Sequence, residues 1–174
     1  MKLESGKELM ALNNQNAANN DSLSFRPATP EDCKGMLVLE AKVIPAPWTK
    51  EHFTEELEKP YSQTYVLTDD ETDEKIFGYI VFWILGEHAE ILNLVVEPKL
   101  HRQGWGTRLV DQVKREALKS GLNKILLDVR KSNARAIQFY QKLSFFIHSS
   151  RSRFYSNGED AYHMQLNLNE SNEV

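Results

Sequence analysis

Hydrophobic residues along the chain recur with two periods, and segments of the two periods alternate. Spacings of three and four residues predict helices, whereas apolar runs rich in β-branched and aromatic residues predict strands. Cap signals mark two of the helix starts, with Thr29 followed by Pro30, and Thr49. The predicted helices cover residues 29–44, 49–60, 105–120 and 132–143. The predicted strands cover residues 22–27, 64–69, 74–87, 88–98, 124–130, 145–155 and 160–168.

The order of these elements predicts a single sheet. Short links between the second, third and fourth strands predict an antiparallel meander, and Asn157-Gly158 predicts a closing hairpin. One helix between two strands predicts a parallel crossover. We therefore predict an α+β fold, with a mixed, mostly antiparallel sheet of six to seven strands flanked by about four helices. This domain spans residues 22–168, between a polar, flexible extension at 1–21 and a tail at 169–174.

Composition and charge limit the classes of function. A net charge of −4 argues against broad nucleic-acid binding but suits a basic peptide partner. A single cysteine, Cys33, favours a reducing compartment, and the five histidines show no metal-ligand spacing. The longest apolar run is too short to cross a bilayer, and the N-terminus carries no signal-peptide pattern. We expect a cytoplasmic protein, with a monomer favoured and with no metal, nucleic acid or membrane as a partner.

The segment His101–Val110 (HRQGWGTRLV) places two glycines between a predicted strand and a predicted helix. A tight turn with positive φ explains such glycines, and so does an anion site built from backbone N–H groups at a helix start. The Walker A string G-x-x-x-x-G-K-[ST] does not occur. A dinucleotide fingerprint fits poorly, because Leu109 stands where its third glycine belongs and Gly104 does not directly follow the strand.

Two longer motifs carry a family resemblance. They are LNLVVEPKLHRQGWGTRLV at 92–110 and LLDVRKSNARAIQFYQKLSF at 126–145. Both resemble the acetyl-CoA-dependent N-acetyltransferases of the GNAT family. Together they are most similar to its bacterial ribosomal-protein alanine N-acetyltransferases (the RimI type). The resemblance covers residues 23–168 and is strongest over 91–145.

Three positions depart from the pattern of that family. His101 stands where Gln or Arg is usual, which is a mild change because the anion site uses mostly backbone groups. Ser144 replaces the glycine before the last phenylalanine of the motif. Asp128 replaces Glu at the position that the resemblance makes the proton acceptor, so this change touches the chemistry.

The resemblance implies that acetyl-CoA is the co-substrate and assigns its contacts. Backbone N–H groups at 102–107 would hold the pyrophosphate, and a backbone N–H at 94–96 would polarise the thioester carbonyl. The same residues also have ordinary explanations. Residues 102–107 could form a plain strand-to-helix turn, residues 94–96 could be part of a buried strand, and Asn133 could be a simple helix cap. The implied coenzyme contacts are Leu94, Val95, Val96, Arg102, Gln103, Gly104, Trp105, Gly106, Thr107 and Asn133.

The resemblance also implies two catalytic residues. Tyr140 would be the general acid that protonates the departing thiolate, although a core aromatic is the ordinary explanation of its place on an apolar helix face. Asp128 would be the proton acceptor for the amine. Because Asp is about 1.5 Å shorter than Glu, a relay through water is favoured over direct contact. An ion pair with Arg130, two residues along the same strand, is the structural alternative for this carboxylate.

Acceptor contacts are implied near the first helix and the last hairpin. The residues are Trp48, Arg153, Phe154 and Tyr155, which could equally be scattered surface residues. An acidic surface from Glu55, Glu56, Glu58 and residues 69–74 would attract a basic acceptor, although ordinary solvated charges explain it as well.

The resemblance implies acetyl transfer to the N-terminal α-amine of a protein, namely alanine of a small-subunit ribosomal protein, by direct attack in a ternary complex. An α-amine is about 14% neutral at pH 7, against about 0.04% for lysine, so a modest base suffices. Two alternatives stay open. One is a GNAT enzyme acting on another N-terminus, a lysine or a small amine, and the other is a non-catalytic acyl-CoA-binding module.

Overall fold

A computed structural model of the protein describes residues 23–69 and 75–168. The predicted extension at 1–21, most of the predicted acidic cluster at 69–74 and the tail at 169–174 lie outside the described residues. The described strands are β1 (Leu23–Pro27), β2 (Ser62–Asp69), β3 (Ile76–Ile84), β4 (Ala89–Val96), β5 (Lys124–Arg130), β6 (Phe146–Arg151) and β7 (Ala161–Asn167). The α-helices are α1 (Cys33–Val43), α2 (Lys50–Glu58), α3 (Trp105–Lys119) and α4 (Ala134–Lys142).

The strands form one mixed sheet in the order β1-β2-β3-β4-β5-β7-β6. The β4–β5 pair is parallel, and the other neighbouring pairs are antiparallel. The predicted meander, the crossover through α3 and the closing hairpin are therefore confirmed. The described residues contain seven strands and four α-helices, within the predicted numbers.

Helices cover both faces of the sheet. One apolar cluster joins α3 and α4 to one face through residues such as Leu109, Val113 and Leu127, all nearly inaccessible to solvent. A second cluster packs α1 and α2 against the other face through Met36 and Phe53. Within the described ranges, no helix is both long and apolar enough to cross a membrane.

Several element boundaries differ from the prediction by a few residues, and the structure explains two of these differences. The first helix begins with a 3-10 turn at Pro30–Asp32, and α-helical geometry starts only at Cys33. The last hairpin was predicted to keep strand geometry through Tyr155, but β6 ends at Arg151. Arg153 has a positive φ of 51°, and its N–H donates to the Asp160 side chain, so the chain turns there.

Strands β4 and β5 pair over a short stretch and then diverge. Their parallel register runs from Ala89 opposite Ile125 to Ile91 opposite Leu127. In the pair of β3 and β4, Phe82 lies opposite Ile91 and Val81 lies opposite Asn93. Leu92 therefore has no opposite residue in β3 and forms a bulge. Such a bulge bends a strand and increases its twist, so β4 leaves β5 at this point.

Candidate active site

The pairing of β4 with β5 ends at Ile91–Leu127, and we call the gap between the two strands beyond this pair the cleft. The rest of β4, including Leu94, Val95 and Val96, remains paired with β3 on its other side. Alternate backbone groups of a strand point to opposite edges, so this part of β4 directs N–H and C=O groups into the cleft. Because the Glu97 N–H donates to Phe77 of β3, the same alternation directs the backbone groups of Val95 toward β3 and those of Leu94 and Val96 toward the cleft.

The glycine segment leads from β4 into α3 and leaves the start of that helix uncapped. Gly104 is the N-cap residue with a left-handed φ of 87°, and no side chain caps the helix. Arg102 also has a positive φ, of 65°. No side chain caps the N–H groups of the first helical turn, and the helix dipole favours an anion there.

The two glycines of the segment serve different purposes. A Cβ on Gly104 would meet no atom within 4 Å, so open space surrounds this position. A Cβ on Gly106 would lie 3.2 Å from the Phe139 ring of α4, so this glycine allows α3 and α4 to pack closely. Trp105 between them is buried in the core. The open space beside Gly104 is the part of the segment that suits a ligand.

The structure explains why a histidine can stand at position 101, where the family pattern has Gln or Arg. Its Nε2 lies 2.7 Å from the Val96 carbonyl oxygen, and its Nδ1 lies 2.6 Å from a guanidinium nitrogen of Arg135 in α4. Since the guanidinium only donates, Nδ1 accepts and Nε2–H donates to the carbonyl. His101 therefore ties the glycine segment to both β4 and α4.

Helix α4 brings Asn133 and Tyr140 to the same side of the sheet as α3. The Asn133 side-chain oxygen accepts from the Ala136 N–H at 3.1 Å, so Asn133 caps this helix. Its side-chain NH2 group is exposed beside the cap and can still donate to a ligand. The Tyr140 ring is buried against Phe145, and burial raises the pKa of its phenol. This phenol therefore stays protonated at neutral pH.

The structural alternative for Asp128, an ion pair with Arg130, is wrong. Arg130 stacks on the Tyr155 ring at 3.7 Å and pairs with Glu159 at 2.9 Å. The Asp128 carboxylate instead lies 3.1 Å from Arg151 in β6 and 2.9 Å from the imidazole of His163 in β7. Both partners come from the final hairpin, on the side of β5 away from the cleft.

The predicted acceptor residues lie in two loops. Tyr155 is in the β6–β7 loop, and its hydroxyl lies 3.5 Å from the backbone oxygen of Asp128. Burial and the Asp128 charge raise the pKa of Tyr155, while Arg130 opposes them. Arg153 and Phe154, in the same loop, are exposed. Tyr155 is thus the residue of this group that the structure brings to Asp128.

Trp48 lies in the connector between α1 and α2, which a buried carboxylate holds in place. Glu40 is fully buried, and it accepts hydrogen bonds from the Trp48 backbone N–H at 3.0 Å and from the hydroxyl of Tyr79. It also accepts from Asn93, which follows the bulge in β4. This network connects the Trp48 connector to β4 where the cleft begins.

Sequence reasoning missed several of these residues. His163 alternates with the buried Met164 and Leu166 along β7, which places it on the opposite face of the sheet. That alternation is the sequence signal that could have placed His163 on the same face of the sheet as Asp128. Nothing in the sequence pattern indicated that Arg151 or Glu40 would contact site residues. Within the part of the chain that is described, no group of three acidic, His or Cys side chains could hold a metal ion.

Comparison with protein families gives one match to this chain. The profile of the Acetyltransferase (GNAT) family matches residues 33–145. This range includes α1, the cleft, the glycine segment and α4.

Individual relatives agree with that match. The chain is 29% identical to the ribosomal protein bS18-alanine N-acetyltransferase of Escherichia coli strain K12, over 74% of this chain and 86% of that protein. It is 32% identical to a Bacillus subtilis protein provisionally given the same name, over 80% of this chain and 92% of the relative.

Solved structures show the same fold. The crystal structure of the E. coli ribosomal-protein-S18-alanine N-acetyltransferase has a TM-score of 0.74 and 25% identity, and covers 87% of this chain and 99% of its own. The structure of Ard1 from Thermoplasma volcanium has a TM-score of 0.77 and 25% identity, with 86% and 99% covered.

Proposed function

The chain belongs to the acetyltransferase (GNAT) family, and on that premise we propose that it acetylates the N-terminal α-amine of a small-subunit ribosomal protein, at alanine. The similarity to relatives named for this activity on ribosomal protein bS18 supports the choice of acceptor. A ribosomal acceptor would place the reaction in the cytoplasm. The observation that carries the proposal is the start of α3, which no side chain caps and which the contact of His101 with Val96 holds beside the end of β4.

Acetyl-CoA is the proposed acetyl donor, and it supplies the acetyl group as a thioester. The N–H groups at the start of α3 would bind its pyrophosphate, because no side chain caps them and they lie at the positive end of the helix dipole. Backbone groups at 94–96 would polarise the thioester carbonyl, and the Asn133 amide would contact the coenzyme. Arg102 and Gln103 belong to the same proposed contact set.

The acceptor amine attacks the acetyl group directly, in a ternary complex. Cys33, the single cysteine of the chain, is buried in α1, and burial raises the pKa of its thiol, so it is a poor nucleophile. Asp128 belongs to the centre that takes the proton from the amine, and Tyr140 protonates the thiolate that leaves. Trp48, Arg153, Phe154 and Tyr155 are the proposed contacts of the acceptor peptide.

Asp128→Asn tests the proton-accepting centre. We expect kcat to fall at least about tenfold near pH 7, a barrier increase of about 1.4 kcal/mol. The loss should shrink above pH 8, because the free α-amine is then mostly neutral. The measurement is a pH profile with an alanine-starting peptide. Asp111→Asn removes a carboxylate that pairs with Lys114 on α3 and is the control. Equal rates for Asp128→Asn and wild type from pH 6 to 9 would show that Asp128 is structural.

Salt dependence tests the choice of a basic acceptor. Glu55 and Glu58 of α2 are exposed, whereas Glu56, predicted to be part of the acidic surface, is buried against Lys59, Ser62 and Trp83. For an arginine-containing peptide we expect kcat/KM to fall about two- to fivefold as salt rises from about 50 to 500 mM, because screening weakens long-range attraction. A peptide with neutral residues after the alanine is the control. Equal salt dependence for both peptides would contradict electrostatic steering.

Peptide assays also separate the alternatives. A lysine or small-amine acceptor predicts no preference for a free alanine terminus, and a binding module predicts coenzyme affinity without transfer. The family match and the named N-acetyltransferase relatives favour an enzyme over a binding module. A survey of protein N-termini by mass spectrometry, in a strain lacking this protein, would identify the acceptor.

A further inference from the structure

His163 is a buried imidazole beside Asp128 to which the proposed reaction gives no role. The two residues are directly opposite each other in the antiparallel pair of β5 and β7, so their side chains share one face of the sheet. Nδ1 of His163 lies 2.9 Å from Oδ1 of Asp128. Only about a tenth of each side chain is accessible to solvent, 10% for His163 and 9% for Asp128.

Both oxygens of the Asp128 carboxylate are already occupied. Oδ1 faces His163, and Oδ2 lies 3.1 Å from Nη1 of Arg151. Protonation would neutralise the carboxylate and so weaken both of these charge-assisted contacts. Asp128 is therefore better suited to orient a neighbouring base than to hold the proton.

The contacts of Asp128 also fix the tautomer of His163. An ionised carboxylate only accepts hydrogen bonds, so Nδ1 of His163 carries the hydrogen, and in the neutral ring Nε2 keeps its lone pair. No hydrogen bond joins Nε2 to another residue in the described ranges 23–69 and 75–168. Arg151 pairs with Asp128 and balances its charge.

We propose that Nε2 of His163 holds the proton that the acceptor amine loses, and that Asp128 is the positioning residue that orients the imidazole. This inference rests on the proposed function. One N–H bond of the acceptor ammonium breaks, its electron pair stays on nitrogen and forms the new C–N bond, and the proton passes through water to Nε2. The C–S bond of the thioester breaks, the thiolate takes the proton of Tyr140, and the second proton that the nitrogen loses returns to Tyr140. Asp128 remains a carboxylate, and the imidazolium later releases its proton to solvent.

The surroundings of His163 determine its response to pH. The titratable groups in contact with it are Asp128 from β5 and His148 from β6, and Asp128 in turn interacts with Arg151 of β6 and Tyr155 of the β6–β7 loop. Loss of a base that must be neutral to act should abolish the acidic limb of activity.

Variants of the two histidines test the proposal. For His163→Gln we expect kcat with an alanine-starting peptide to fall at least about tenfold at pH 8, without a change in coenzyme A affinity by calorimetry. The acidic limb of kcat between about pH 6 and 8, where imidazoles generally titrate, should disappear. His148→Gln is the control, because its ring lies 6.2 Å from His163 and contacts neither oxygen of Asp128.

The tautomer provides a test that does not depend on activity. In free protein labelled with 15N-histidine, we expect the neutral ring of His163 to carry its hydrogen on Nδ1. A hydrogen on Nε2, or a kcat for folded His163→Gln within twofold of wild type, would overturn the proposal. Wild-type protein that fails to acetylate the peptide would overturn the proposed function instead, while the tautomer would still decide whether Asp128 orients His163.

Discussion

Gly104→Val is expected to weaken coenzyme A binding at least about 100-fold, a loss of about 2.7 kcal/mol. The Cβ built on Gly104 meets no protein atom within 4 Å, so the new side chain would occupy the open space in front of the first turn of α3. In the proposed complex the pyrophosphate uses this space, and the N–H groups around it have no side-chain cap. Calorimetry with coenzyme A measures the change.

Backbone strain has to be separated from blocked binding, and the same helix offers a matched control. Gly104 has φ 87°, where a β-branched residue is strained by roughly 1–3 kcal/mol, so Gly104→Val should also lower the free energy of unfolding. Gly121 follows the other end of α3 with φ 72° and equally open surroundings. Gly121→Val should lower stability by a similar amount and leave coenzyme affinity unchanged. Equal affinities for the two folded variants would contradict the anion site.

Elements with strong local signals could be predicted from the sequence. The strand predicted at 124–130 agrees with β5 at both ends, because alternating apolar residues are bounded by Asn123 and Lys131. The end of α3 was marked by Gly121, whose positive φ stops a helix. Asn133 was recognisable as a helix cap, and its side chain does accept from Ala136. Each signal lies within a few residues of the feature that it predicts.

Contacts between distant parts of the chain could not be predicted in this way. Asp128 and His163 are 35 residues apart, and their meeting depends on β7 lying beside β5 in one particular register. Glu40 and Asn93 are 53 residues apart and meet through helix packing on the sheet. A pattern of hydrophobic positions predicts which face of an element is buried, but it does not predict the register that brings side chains together.

The largest effect on the chemical step is expected for Tyr140→Phe. A phenol with an ordinary pKa of about 10 protonates a thiolate of pKa about 8.5 at a cost of about 2 kcal/mol. Burial raises the pKa of Tyr140 and therefore raises this cost. Loss of a positioned general acid reduces rates by about 100-fold or more. We therefore expect kcat to fall at least about 100-fold, with unchanged affinity for coenzyme A.

The same variant separates a catalytic from a packing role for Tyr140. Phe keeps the ring that packs on Phe145, and no hydrogen bond joins the Tyr140 hydroxyl to another residue in the described part of the chain, so stability should not fall. Because the raised pKa keeps this phenol protonated from pH 6 to 9, the loss in kcat should be constant over that range. Tyr65→Phe, which removes a hydroxyl 3.4 Å from Glu116, is the control and should keep wild-type kcat. A kcat for Tyr140→Phe within threefold of wild type would mean that Tyr140 serves only the core and that the thiolate takes its proton from another group or from water.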